Sequence, residues 1–263
     1  MGKLNNLRVA FLHIAPRYDD VTGNVQWLER LFRQAAGLQA DLVLTPELAV
    51  SGYEFHPVLG QEWVQTDAPA IVERFAYLAA ELRTALVLGS PIFYAQSGKF
   101  HNSAIFIDEN GQVLGVHHKI LVLPGGVEGW ATPGDQANPV TWRGYKIGLM
   151  ICADAYSGRL GMELAGQGAQ VFISLAAWAP GSHAPSGEWE QRSQETGLPV
   201  LVCNRTGQGA TLNFEGSSSV IVMGGCRVAE YNGKSPAILT MDFDSDWNPQ
   251  NAYFSTYTLE SET

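Results

Sequence analysis

Three cysteines are too few, and too widely spaced, to staple a chain of 263 residues. Cys152, Cys203 and Cys226 form neither a disulfide framework nor a zinc-binding spacing, so a reducing compartment is expected and the cytoplasm fits. Long apolar runs are missing as well. The N-terminal run over residues 7–14 is too short for the core of a signal peptide, and nothing approaches the roughly 18 apolar residues of a membrane span. Basic charge is scarce: 16 Lys and Arg stand against 26 Asp and Glu, for a net charge of −10. With no basic stripe to neutralise phosphates, nucleic acid is excluded as a partner. There is no Pro/Ser-rich linker, charge block or low-complexity tract, so residues 1–263 are expected to form one domain.

What is present is a large apolar fraction, 46% of residues against 16% charged, enough for a substantial core. Its spacing alternates between strand and helix periods. Residues 7–14 read as a strand. Val25, Leu28, Leu31, Phe32 and Ala35 then recur at helical spacing, and 41–44 is a second buried strand. A helix carrying Ile71, Phe75, Leu78 and Leu82 precedes a strand at 85–88. Hairpins follow, 103–107 with 113–117 across Asn110-Gly111, and 140–142 with 145–151. Beyond Cys152 the pattern gives a helix at 159–166, a strand at 171–174, a helix at 188–196 and a strand at 200–203. It closes on strands at 218–223 and 237–243. Two βα-rich halves joined by hairpins predict an α/β fold layered as an α-β-β-α sandwich, although periodicity alone also allows another α/β arrangement.

Three chemical groups stand at the ends of predicted strands: the carboxylate of Glu47, the amine of Lys119 and the thiol of Cys152. Ligands of α/β proteins bind at the carboxyl ends of strands, so the three are expected to converge on one small substrate. A helix N-terminus just after Cys152 is expected to favour its thiolate. Together they suggest a thiol hydrolase without a catalytic histidine.

These residues carry a family resemblance. Thr45-Pro46-Glu47 with Gly52-Tyr53 resembles the glutamate motif of the carbon-nitrogen hydrolase (nitrilase/amidase) superfamily, and His101-Asn102-Ser103-Ala104 resembles the strand before its lysine. His117-His118-Lys119 with Leu123-Pro124, Glu128 and Gly134-Asp135 resembles the lysine motif and its loop. Trp189-Glu190-Gln191-Arg192, Pro199 to Asn204, Gly207 and Phe214-Glu215-Gly216-Ser217 resemble the later segments, so the likeness runs through the chain in order. The resemblance implies a four-layer α-β-β-α sandwich, a homodimer or higher homo-oligomer, and no metal or cofactor.

It also implies roles. Cys152 is the nucleophile that forms a thioester, and Glu47 shuttles its proton to the departing ammonia or amine and then activates water. Lys119 stabilises the oxyanion together with the Ala153 backbone N–H. Glu128 matches the accessory glutamate, with a solvated loop acid as the alternative. Tyr53, Trp130, Tyr156 and Trp178 are candidate pocket residues, and ordinary packing is the other reading of each. His117 and His118, adjacent on a strand, point to opposite faces and do not chelate one ion. Cys203 and Cys226 read as structural.

The chain departs from the family's pattern after the nucleophile. Asp154 keeps an acid, but Ala153 stands where an aromatic is common, and the later proline is absent. The helix near Trp189 departs too, with Thr196 where asparagine is common. Without a tryptophan after Cys152 and with a short C-terminal tail, a small amide is expected as substrate. A carbamoylase or a nitrilase is the alternative enzyme. A catalytically silent binding protein is the alternative of another class, against which the retention of Glu47, Lys119 and Cys152 argues.

Overall fold

The computed structural model describes residues 6–122, 126–181 and 185–259. Leu123 and Pro124, quoted for the lysine motif, lie outside the described residues. Strand β1 (Leu7–His13) leads to helix α1 (Val21–Gly37), capped where the Asp20 carboxylate accepts the Gly23 N–H. Strand β2 (Leu42–Leu44) is followed by two short helices, α2 (His56–Leu59) and α3 (Glu62–Thr66), and by α4 (Ala68–Leu82). Then come β3 (Ala85–Tyr94), β4 (Lys99–Ile107) and β5 (Val113–His118). The β4–β5 turn is built by Asp108, whose carboxylate accepts the Asn110 and Gln112 N–H groups, with Gly111 at φ +79°.

The second half opens with β6 (Val140–Trp142) and β7 (Tyr145–Ile151) and passes through a 3₁₀ turn at Cys152–Tyr156. It continues as α5 (Gly158–Gly166), β8 (Val171–Ala176), α6 (Glu188–Thr196) and β9 (Val200–Asn204). The remaining strands are β10 (Ser219–Met223), β11 (Cys226–Tyr231), β12 (Ala237–Phe243) and β13 (Ser255–Thr258). Periodicity missed α2, α3, β11 and β13. The two helices are barely a turn long, and the two edge strands bury one residue or none. It also ended β3 early, because beyond Leu88 that strand continues as the partner of β4.

The strands form two sheets, ordered β13-β12-β1-β2-β3-β4-β5 and β11-β10-β9-β8-β7-β6. Each has a parallel centre, β1-β2-β3 in one and β7-β8-β9 in the other, flanked by antiparallel strands. Strand alternation divides the core. Val9, Phe11, Leu42, Leu44, Val87 and Phe106 face the second sheet, while Ala10, Leu12, Val43, Leu86, Leu88 and Ile105 pack under α1 and α4. On the far side α5 and α6 cover the second sheet. Gly148 is required there, since a Cβ would come within 2.7 Å of the Phe172 ring and 3.2 Å of Leu164. The layers are therefore helix, sheet, sheet, helix, the expected four-layer sandwich. Each fully buried Val, Leu, Ile or Phe between the sheets contributes about 1.5–3 kcal/mol relative to exposure. The sheet–sheet seam is consequently a firm base for groups at the strand ends.

Candidate active site

Glu47 follows the end of β2, on a turn that passes close over β3. At Gly89 a Cβ would lie 2.2 Å from the Pro46 carbonyl oxygen, so only glycine admits the turn at that height. Lys119 directly follows β5, its N–H donating to the Asn102 carbonyl of β4 at 2.8 Å. Cys152 directly follows β7 with φ +46°, a left-handed conformation that costs a non-glycine residue about 1–3 kcal/mol. That bend turns the thiol out of the strand direction and towards the Glu47 and Lys119 side of the seam.

The charged groups meet in a closed ring. Lys119 Nζ donates to Glu47 Oε1 at 2.7 Å and to Glu128 Oε2 at 2.6 Å. Asn102 Nδ2 donates to Glu47 Oε1 and to Glu128 Oε1, both at 2.7 Å. Glu47 Oε2 accepts the Ala177 N–H from the end of β8 at 2.9 Å. Tyr53 adds its hydroxyl to Glu128 Oε2 at 3.3 Å. All four members of the ring are buried, Glu47, Lys119, Asn102 and Glu128 each being 1% exposed. Glu128 is thus an interior group rather than a solvated loop acid.

Burial sets the proton affinities. Removal from water raises Glu47 to about 7, with the nearby Glu128 charge adding to the rise and Lys119 opposing it. For Lys119 burial acts downward, but the charges of Glu47 and Glu128 outweigh it and hold the ammonium well above its ordinary value. The Cys152 thiol is pushed well above its ordinary value by burial and by Glu47, against the pull of Lys119. This corrects the expected thiolate. A five-residue 3₁₀ turn offers little dipole, and two carboxylates beside a buried sulfur disfavour a third negative charge. At rest Cys152 is a neutral thiol beside the Glu47 carboxyl group.

Asp154 ties the Cys152 turn to the strand that ends at Lys119. Its Oδ1 accepts the Ile120 and Leu121 N–H groups at 2.9 Å each, and its Oδ2 accepts the Ile151 N–H at 2.9 Å. Oδ2 also lies 2.7 Å from His117 Nε2. His118 points the other way, its Nδ1 2.8 Å from the Ser103 hydroxyl and its ring stacked on His101, so the adjacent histidines do separate work. Buried Arg192 of α6 supports the same turn by donating to the Ala155 carbonyl at 2.6 Å.

The candidate pocket residues divide. Tyr53 touches the ring of charges and stands edge-on to Phe214. Trp130 is buried against Phe55, with its indole N–H unpartnered. Trp178 is buried between Trp189 and Tyr156, and Tyr156 is 50% exposed at the rim. Ala153 is buried in the turn after Cys152. Cys203 is interior, its sulfur within 3.3 Å of the Leu44 carbonyl oxygen. Cys226 is exposed on β11, which corrects its structural reading: on an outward edge strand it fills no core. A groove of about 580 Å³ lined by Asp19, Trp63, Asp67 and Arg74 contains none of these groups.

Sequence reading missed Ala177 and the ring role of Asn102. Ala177 acts through its backbone, for which residue type carries no signal. Asn102 did leave one: it shares the strand parity of Ala104 and Phe106, which face the second sheet, and a polar residue on that face needs a partner.

Comparison with known proteins agrees with this architecture. The family profile described as Carbon-nitrogen hydrolase matches residues 8–250. A probable nitrilase of Schizosaccharomyces pombe is 26% identical, covering 90% of this chain and 89% of its own length. An N-carbamoylputrescine amidase of Arabidopsis thaliana is 27% identical over 87% of this chain and 83% of its own. Among solved structures, a glutamate-to-glutamine variant of the amidase from Nesterenkonia sp. AN1, with acrylamide added at its active-site cysteine, superposes with a TM-score of 0.81. It is 26% identical, covering 92% of this chain and 94% of that one. A cysteine-to-alanine variant of the same amidase, in complex with butyramide, also gives 0.81 at 26% identity, covering 92% of each chain. With a family match over nearly its whole length and this fold, the chain belongs to the carbon-nitrogen hydrolase family.

Proposed function

We propose that residues 1–263 form one catalytic domain that hydrolyses the C–N bond of a small amide through a thioester on Cys152. The observation that carries this reading is the buried contact of Lys119 with Glu47 and Glu128 beside the Cys152 sulfur. Because the resting thiol is neutral, its proton leaves as it attacks. Cys152 gives the proton to Glu47, and the sulfur bonds to the carbonyl carbon. The resulting oxyanion is held by the Lys119 N–H not engaged by carboxylates and by the Ala153 N–H. Glu47 then protonates the amide nitrogen, the C–N bond breaks and ammonia or an amine departs. A water molecule, deprotonated by Glu47, attacks the thioester. The C–S bond breaks, the carboxylic acid is released, and the sulfur recovers its proton.

Small aliphatic or amino-acid amides are the proposed substrates. The solved amidase that binds butyramide supports this, as does the aromatic enclosure of Tyr53, Trp130 and Trp178 with the small Ala153 next to the nucleophile. The second reading is a carbamoylase, favoured by likeness to N-carbamoylputrescine amidases. A buried cation beside two carboxylates supports catalysis over silent binding, since such a cluster is costly to keep without use. The few, widely spaced cysteines support a cytoplasmic location, and the family resemblance supports a homodimer or higher homo-oligomer. Among the described residues no helix is long and apolar enough to cross a membrane.

The test is ammonia release from the amide, nitrile and N-carbamoyl forms of matched small compounds. The amide is expected to give the largest kcat/KM, with an acyl mass increase on Cys152 during turnover. A larger value for the carbamoyl compound or the nitrile would reassign the branch, and no turnover with any would overturn the hydrolase reading.

A further inference from the structure

We propose that Asn102 is a positioning residue for the proton shuttle: its two amide N–H groups bridge Glu47 Oε1 and Glu128 Oε1, leaving Glu47 Oε2 as the oxygen that exchanges a proton with Cys152. The inference rests on the reading of Glu47 as the base and Cys152 as the nucleophile. Of the four carboxylate oxygens in the cluster, three are held within the ring. Glu47 Oε1 takes Lys119 and Asn102, Glu128 Oε1 takes Asn102, and Glu128 Oε2 takes Lys119 and Tyr53. Glu47 Oε2 alone is bonded from outside it, by the backbone N–H of Ala177, and so is the one carboxylate oxygen tied neither to the lysine nor to the amide.

The orientation of Asn102 is dictated by its neighbours. Its Oδ1 is buried with no partner among the described residues, while its Nδ2 makes two bonds of 2.7 Å to carboxylates. Rotating the amide by 180° would aim a carbonyl oxygen at two acids, so the amide is held with its donors inward. The backbone adds a second constraint, because the Asn102 carbonyl accepts the Lys119 N–H at 2.8 Å. Asn102 therefore spaces two like charges and keeps Lys119 between them. The charged and titratable groups facing Glu47 are Lys119 after β5, Glu128 and Tyr53 from loops, Cys152 after β7 and, more remotely, Arg205 after β9. Removing the Asn102 donors strips a hydrogen bond from the ionised form of Glu47, which then holds its proton to higher pH.

The experiment is the pH dependence of kcat/KM for the best amide with Asn102→Ala and the uncharged, similarly branched Asn102→Leu, each checked for folding by thermal unfolding. The second variant fills the space without donors or charge and supplies the same readouts if the alanine variant does not fold. The acid limb is expected to move upward by about one pH unit, with kcat at least about tenfold lower and KM within about threefold. An unmoved acid limb, whatever the loss in kcat, would overturn the assignment, because loss of packing alone does not move it. Glu47→Gln and Cys152→Ala are run alongside. Turnover by either control would sink the underlying mechanism, whereas two inactive controls with an unmoved limb in the Asn102 variants would sink this inference alone.

Discussion

Asp154 Oδ2 lies 2.7 Å from His117 Nε2, joining the turn that carries Cys152 to the strand that delivers Lys119. The two residues are 37 positions apart in sequence and both are interior. Through this contact and the three backbone N–H groups that Asp154 accepts, the first sheet's lysine and the second sheet's cysteine share one frame.

Removal of that frame is expected to be costly. In Asp154→Ala three backbone N–H groups, that of Ile151 fully buried, and the His117 ring lose their acceptor, which should destabilise the fold by about 3 kcal/mol or more. Burial acts to raise the Asp154 pKa, but His117 and the backbone donors outweigh it and hold it below its ordinary value. Its contribution is thus present above the unfolded carboxylate pKa of about 3.9 and is lost as pH falls through the lower folded value. Thermal unfolding followed from pH 5 to 2 should show a shallower acid loss in the variant than in the parent.

Cys152→Ala should abolish turnover while the fold persists, since the substitution keeps the Cβ at the same backbone conformation and leaves the carboxylate–lysine ring in place. Cys203→Ala should retain most activity and lose about 1 kcal/mol of stability through a small cavity. Ammonia release and chemical denaturation of the two variants check the pair. Comparable turnover by Cys152→Ala would remove it as the nucleophile.

For Glu47→Gln the shape is kept and the base is lost, so acylation and thioester hydrolysis should each slow by about a hundredfold or more. Lys119→Met should be equally damaging to kcat. It should also destabilise by about 3–5 kcal/mol, because two buried carboxylates lose the cation between them. Pre-steady-state ammonia release together with equilibrium unfolding separates the two effects. Activity within a few-fold of the parent for either variant would move that residue out of the chemistry.

Glu47 acts as a base only when ionised, and burial places its pKa at about 7. The rate kcat/KM should therefore rise as pH increases through about 7 and fall below it. Lys119 and the Cys152 thiol both titrate well above their ordinary values, so no alkaline fall is expected before about pH 9. A profile with its acid limb near pH 4 would mean that Glu47 is more solvated during turnover than in the resting fold.

Much of this molecule was legible in its residues. Short apolar runs in β1 to β4 and helical spacing in α1 and α4 reflect burial, which local pattern records directly, whereas the face each strand residue takes is decided by packing. Motif residues marked Glu47, Lys119, Glu128 and Cys152 for the same reason: chemistry demands side-chain types that composition alone seldom puts at strand ends. What the sequence could not decide is how those groups see one another. The Asn102 bridge, the Ala177 N–H and the Asp154–His117 contact join segments dozens to over a hundred residues apart, and they exist only once the two sheets are packed. The protonation of Cys152 is decided there too, because desolvation and the charge of Glu47 are properties of the packed interior and not of a local turn.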